Sequence, residues 1–359
     1  MRAKYSSAMK RSSSGVAVLL AAWLTSACGV GFDRPSEVKT LRVLAVQKDV
    51  PYPAAGSTVT LRLLWHDGAR ATDAPPEEPP RPVQIAWLPR CFNPPGGLYY
   101  GCFEQVGTPS PNNMPGEGDT LTFQIPPDII EEASPPAPGQ PVFGQTFAFF
   151  AVCAGRFDVD LEPEEGALPL ICRDDAGVEL GPEGFVVGYT TLYTFAEGFS
   201  NANPVVEGFE VSGEAVSDAC TDSTEGACMP SPDTVVPEID CGAEPHRCIP
   251  ACEDDGDASC PEIDIRPVLS EAKNAERDEV SITYFNRDVG EQMWINYYSD
   301  RGGVKSDVRL LNDATVGWNE DYGTKFFAPK EPGQVTIWAV AHDNRGGVGW
   351  TRARVLITE

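Results

Sequence analysis

Residues 335–342 read VTIWAVAH, residues 343–347 read DNRGG, and residues 348–357 return as VGWTRARVLI. Pro332-Gly333 leads into the first arm, and the whole is the clearest hairpin in the chain. On the return arm Ala353, Val355 and Ile357 share one face, while Arg352 and Arg354 take the other. That two-residue period is the mark of a strand with one face in a core. Asn and Gly in the turn supply the positive φ that such connections need.

The same alternation recurs toward the N-terminus. In 58–65 (TVTLRLLW), Val59, Leu61, Leu63 and Trp65 alternate with Thr60 and Arg62. Val83, Ile85 and Trp87 predict another strand, as do Leu121, Phe123 and Ile125. Phe147, Phe149, Ala151 and Cys153 mark the most apolar strand of this part, and 185–195 (FVVGYTTLYTF) closes its sheet. Residues 38–46 predict an edge strand. Further on, 280–285, 293–298, 308–311 and 325–328 predict short strands with turns between. With 34 Gly, 33 Pro and no long helical period, the chain reads as all-β. A 42% apolar fraction that includes seven Trp can build real cores.

Two domains are expected at this length. Residues 38–212 form the first, 264–359 the second, and 213–263 an acidic, disulfide-rich, irregular segment between them. Asn201-Ala202-Asn203-Pro204 ends the first unit, and 205–211 begins or bridges to the next. Residues 71–82 (ATDAPPEEPPRP) are a proline-rich loop that cannot hold a ladder.

The first thirty residues are organised around Cys28. Arg2, Lys4, Lys10 and Arg11 precede a short apolar run, 15–24 (GVAVLLAAWL), which ends in Leu24-Thr25-Ser26-Ala27-Cys28-Gly29. Basic residues, a brief apolar core and small residues before a cut site make an export signal, here residues 1–27. The run is shorter than the roughly 20 residues that span a bilayer. Of eleven cysteines, setting Cys28 aside leaves ten, an even number for pairing in an exported chain.

Cys91 and Cys102 enclose FNPPGGLYYG, a turn and strand start that a disulfide closes as a hairpin. Cys153 is expected to pair with Cys172. Cys220, Cys228, Cys241, Cys248, Cys252 and Cys260 lie among Pro, Asp, Glu and Ser with almost no core. Six cysteines allow 15 connectivities, and the sequence does not choose among them.

The acidic balance excludes whole classes of partner. With the leader gone, 23 basic residues stand against 53 acidic ones, a formal charge of −30. Such a surface repels phosphate backbones, so no nucleic-acid partner is expected.

Motifs for catalysis are scarce. His66, His246 and His342 form no H-E-x-x-H, and no G-x-S-x-G, P-loop or G-x-G-x-x-G occurs. Ser270-Glu271-Ala272-Lys273 fits S-x-x-K but lacks its companions K-T-G and S-D-N. His246 lies near Cys248, yet disulfides are the expected state of those thiols in an oxidising compartment. No cofactor is expected. Residues 253–257 (EDDGD), with Asp254, Asp255 and Asp257, resemble calcium loops but lack the D-x-[DN]-x-[DN]-G order and the terminal Glu. They read as a solvated acidic loop, with calcium the alternative. Carboxylates are too many for a catalytic pair to stand out. His66-Asp67 follows Val59-Thr60-Leu61 at the offsets at which His342-Asp343 follows Val335-Thr336-Ile337. That echo reads either as matched sites or as one strand-into-turn solution used twice.

Residues 24–29 resemble a bacterial lipobox, with Thr25 where that family has Leu. The resemblance implies a diacylglyceryl group on Cys28, a lipidated tether over 28–37 and, from Gly29, placement at the outer membrane. Cleavage after Ala27 with Cys28 left as a plain thiol is the alternative. Pro-Gly, an alternating strand, Asp-x-x-Gly-Gly and a return strand resemble immunoglobulin-like modules of the PKD and cadherin-like kind. The layout from Cys28 onward is similar to uncharacterised lipoproteins of Gram-negative bacteria. The antibody hallmark of a core disulfide on a Trp is matched only by Trp87 and Cys153.

The expectation is therefore two immunoglobulin-like β-sandwiches on a lipid anchor, at the outer membrane or cell surface. They serve as a non-enzymatic binding, adhesion or scaffold module for a protein or polysaccharide of the envelope. The alternative is a hydrolytic enzyme or accessory subunit of a degrading system that works through carboxylates. A flat aromatic patch would favour binding, with Tyr99, Tyr100, Trp294, Tyr297, Tyr298 and Trp318 as candidates.

Overall fold

The closing hairpin sits at the centre of the largest sheet, where both of its faces are covered. The computed structural model describes residues 34–69, 81–102, 116–159, 170–221, 238–253 and 260–359. Its strands begin with β1 (Leu41–Lys48), β2 (Thr58–Asp67), β3 (Gln84–Trp87), β4 (Cys91–Phe92), β5 (Gly116–Glu117) and β6 (Thr120–Gln124). Next come β7 (Phe143–Cys153), β8 (Arg156–Val159), β9 (Leu170–Arg173) and β10 (Phe185–Phe195). They are followed by β11 (Gly208–Val211), β12 (Glu214–Ala215), β13 (Cys220–Thr221), β14 (Cys248–Pro250), β15 (Glu262–Val268) and β16 (Met293–Ser299). The last are β17 (Gly303–Val304), β18 (Val308–Asp313), β19 (Gly317–Trp318), β20 (Thr324–Phe327), β21 (Gly333–Asp343) and β22 (Val348–Thr358). Two short helices, α1 (Glu271–Asn274) and α2 (Glu279–Phe285), and three 3-10 turns, Pro95–Gly97, Tyr99–Cys102 and Pro245–Arg247, accompany the strands. The fold is all-β.

Four sheets stack through three buried layers, all within one compact unit, Pro35–Glu359. The outermost has the order β10-β7-β3-β5, with β4 also on β7, and it faces β1-β2-β6. Between them lie Val59, Leu61, Leu63, Trp87, Phe123, Phe150 and Val152. In β2, β3 and β6 these belong to the alternating sets expected from sequence. In β7 the even positions face this core instead, and the expected set, which includes Phe147 and Phe149, lies on the other face. On the C-terminal side, β13-β22-β21-β16-β18-β19 faces β12-β11-β15-β20-β17. Val335, Ile337, Ala339, Ala353, Val355 and Ile357 fill that layer with Phe209, Tyr297 and Phe326. The middle layer joins the two pairs: Val38, Leu44, Ala45 and Leu64 pack on Trp338, Val340, Val348 and Trp350. This explains why 335–341 reads as a nearly unbroken apolar run. Its odd positions serve one core and its even positions another.

The first strand is an edge strand, as expected, and a bulge between Val43 and Ala45 lets it serve two layers. Leu41 faces the first core and Leu44 the middle one. The C-terminal sheets also recruit residues assigned elsewhere from sequence. Strand β11 pairs with β15, so Gly208–Val211 is part of that sheet pair.

Several expectations are corrected. Residues 280–285 form helix α2, not a strand. Asp278 caps it by accepting from Ser281 N, and Asn286 ends it in the left-handed region at φ 50°. Local capping overrides the alternation of Val280, Ile282 and Tyr284. The segment 213–263 is not wholly irregular, because β13 runs antiparallel and β14 parallel to β22. Ile249 is buried in the C-terminal core, and Arg247 is buried against Asp218 and Glu244. Between Cys91 and Cys102 the chain makes two 3-10 turns, Pro95–Gly97 and Tyr99–Cys102, rather than a hairpin, since Pro94-Pro95 cannot donate to a ladder. In the 343–347 turn it is Gly346, at φ 92°, and not Asn344, that takes the positive φ.

Candidate binding surface

Strands β7 and β10 pair without a register shift from Phe143↔Phe195 to Cys153↔Phe185. In-register pairing puts alternate residues of both on the outer face: Phe143, Gln145, Phe147 and Phe149 beside Val187, Tyr189, Thr191, Tyr193 and Phe195. The inward set, Ala148, Phe150, Val152 and Leu192, is spent on the core. Gly188 is needed here, because a Cβ on it would stand 2.5 Å from Phe150 Cζ.

The outer face is partly roofed by the segment 91–102. Cys91 bonds Cys102, and both pack on Phe147 and Phe149. That disulfide holds Tyr99 over Tyr189, with ring centroids 4.9 Å apart and planes at 23°, an offset stack. Asn93 fixes the start of the loop by donating to Ile129 O and accepting from Gln145 N. Beyond the roof, Tyr100 is 58% exposed, Tyr189 46%, Tyr99 41% and Phe143 37%. A chain of ring contacts runs on from Phe143 through Tyr193, Phe195 and Phe199 to Tyr284. Neither strand nor the 91–102 loop contains an Asp, Glu, Lys or Arg, in a chain of formal charge −26.

A second cluster lies where the two sheet pairs meet, and it is a clasp. Lys48 donates to Gly346 O at 2.8 Å and Gln47 to Val348 O at 2.9 Å. Asn203 donates to Lys48 O and accepts from Val348 N, while Asn201 donates to Asp343 Oδ2. Arg345 donates to Glu291 Oε2 at 2.8 Å and to Glu276. Burial pushes the Glu291 carboxyl up to about 7 against the pull of Arg345. Burial likewise pushes the Lys48 ammonium down to about 8, with Asp343 opposing. These bonds join β1, β21, β22 and the 200–205 segment, so the cluster ties chain segments together.

Other residues singled out from sequence are placed as follows. The structure bonds Cys153 to Cys172, Cys241 to Cys248 and Cys252 to Cys260, and Cys220 is disulfide-bonded. Cys153 lies on the face opposite Trp87, so that bridge does not pack on it as in antibody domains. Cys28, Cys228, Asp254, Asp255 and Asp257 fall outside the described residues. With Cys248 in a disulfide, its sulfur is no metal ligand beside His246. Lys273 of the S-x-x-K match is paired with Glu207. The two halves of the His-Asp echo are held differently. His66 lies tilted against Trp338, and Asp67 accepts from the Arg81 side chain. His342 stacks on Trp294, and Asp343 closes its turn by accepting from Arg345 N and Gly347 N.

Of the six aromatic candidates, Tyr99 and Tyr100 belong to the exposed face. Tyr297 is core, and Trp294, Tyr298 and Trp318 are half-buried on the other sheet pair. Sequence reasoning missed Tyr189, Tyr193 and Phe143. The signal was present in 185–195, whose odd positions are Phe, Val, Tyr, Thr, Tyr and Phe with no charge among them.

No family model and no curated protein matches the chain. Among solved structures it is similar to fibronectin(III)-like modules of Clostridium thermocellum CbhA, at 8% identity and TM-score 0.21, over 88% of this chain and 94% of that one. It is also similar to three N-terminal domains of the bacteriophage RB49 highly immunogenic outer capsid protein, at 11% identity and TM-score 0.16, over 89% and 100%. Scores this low bear no argument, and the fold rests on the sheets themselves.

Proposed function

We propose that this protein is an exported, lipid-anchored envelope module without catalytic activity, which binds through the outer face of β7 and β10. The observation that carries the reading is the uncharged aromatic face on an otherwise acidic chain. Exposed apolar patches of this kind mark interaction sites. Its disulfides suit an oxidising compartment, and residues 1–28 supply the export signal and the acylated cysteine. Two or three acyl chains anchor stably where one holds only marginally.

The enzymatic alternative has less support. Among the described residues, the two carboxylates that burial raises are Glu291 and Asp300. They flank β16 at opposite ends, about 30 Å apart at 3.3 Å per residue. Glycosidase carboxylates stand roughly 5–9.5 Å apart.

The test is co-sedimentation of the full-length protein with isolated envelope material. Combined Tyr99→Ala, Tyr100→Ala and Tyr189→Ala substitution is expected to weaken binding at least tenfold; unchanged binding removes the face from the function. Mass spectrometry of the mature N-terminus checks the anchor, and an unmodified Cys28 ends that part alone.

A further inference from the structure

We infer that the ligand of the β7/β10 face is a neutral polysaccharide, an inference that rests on the binding role proposed above. The charge pattern leads to it. Three contiguous segments, 91–102, 143–153 and 185–195, carry no ionisable acid or base other than tyrosine and the bonded cysteines. The rest of the chain holds all 53 acids. An anionic polymer is repelled by the whole molecule. A cationic partner finds no acidic side chain on these three segments to pair with. What the face complements is a neutral ligand.

Geometry then separates a glycan from a peptide. A sheet presents side chains on its face and backbone groups only at its edge. An extended peptide lying on the face would carry an amide and a carbonyl at every residue and find no backbone partner there. Peptides that exploit sheets add to the edge instead. A pyranose has the opposite make-up, with C–H groups on its flat side and hydroxyls around its rim. Tyrosine matches it group for group, an apolar ring with a hydroxyl at the tip.

The exposed rings are Tyr99, Tyr100, Tyr189 and Phe143, and Tyr193 lies about 13 Å along the strand from Tyr189, four residues on. Such a run serves a chain of sugars better than a single one. Thr191 and Gln145, between the aromatic positions, offer uncharged hydrogen-bonding groups. The disulfide between Cys91 and Cys102 pre-orders Tyr99, which lowers the entropy lost on binding.

Affinity electrophoresis of the full-length protein in detergent tests this, in native gels containing a β-glucan, dextran, galactomannan or xylan, with an alginate gel as the acidic counterpart. At least one neutral glycan is expected to retard the protein, and alginate is not. Tyr99→Ala or Tyr189→Ala should weaken retardation at least tenfold, Tyr189→Phe less, and Trp294→Ala, on another sheet, not at all. Melting curves exclude misfolded variants. If no neutral glycan retards the protein while envelope co-sedimentation still depends on the three tyrosines, the face binds another class of partner. The polysaccharide is then wrong and the binding role stands. Should neither assay respond to the tyrosines, both fall.

Discussion

Asp300 is the residue whose burial has the plainest energetic consequence. Its carboxylate, on the middle layer beside His66, accepts from Thr336 N, and burial raises its pKa to about 6. An acid whose folded pKa is raised favours the folded state below its unfolded value near 4, and that stability is lost as pH rises through about 6. Glu291, raised to about 7, acts in the same direction over an overlapping window. We expect Asp300→Asn, which keeps an acceptor for Thr336, to flatten the fall in stability between pH 4 and 6.5 by about 2–3 kcal/mol. Urea midpoints for both proteins at pH 4, 5, 6 and 7 measure this, and parallel curves would contradict it. Arg345 shows the reverse arrangement, since two carboxylates and two backbone carbonyls receive its donors. Such a buried cation is held only by that full set of partners.

At the level of elements, the β7/β10 pair owes its two characters to one two-residue period. The inward set packs the core, and the outward set is left for the 91–102 loop and solvent. That loop has no regular ladder of its own, so its bridge matters for both shape and stability. Cys91→Ala with Cys102→Ala is expected to cost about 2–3 kcal/mol by freeing the unfolded chain. It should also expose Tyr189 further, which tyrosine fluorescence quenching by acrylamide would report. An unaltered melting temperature would mean that Asn93 and the packing on Phe147 hold the loop alone. Helix α2 shows the limit of reading elements by alternation. Val280, Ile282 and Tyr284 alternate as a strand would, but a seven-residue segment with Asp before it and Asn after it has stronger local preferences for a capped helix.

Across the whole molecule, the middle layer decides whether the sheet pairs unfold together. Trp350 is wholly buried there against β1 and β2. Trp350→Ala is expected to cost about 3–5 kcal/mol. It should also turn one thermal transition into two in a calorimeter, while a single lowered transition would show that the clasp suffices for coupling. Strand content and the inward faces of β2 and β22 were legible in the chain, because alternation and turn chemistry act between residues a few positions apart. Strand β7 is apolar on both sides, and there the set read from sequence, Phe147 and Phe149, faces away from the core. Residues 335–357 show this most clearly. The aromatic face was only half legible. Tyr99 and Tyr100 were among the aromatic candidates, but Tyr189 and Phe143 were not, because their exposure depends on what lies above a strand more than forty residues away. The amino-acid sequence by itself determined an all-β chain with charge-free strands at 143–153 and 185–195. Only the tertiary structure decided that four sheets share three cores and that Tyr189 and Val187 of β10 stay exposed on its outer side, because which sheet covers which face is a contest between distant surfaces.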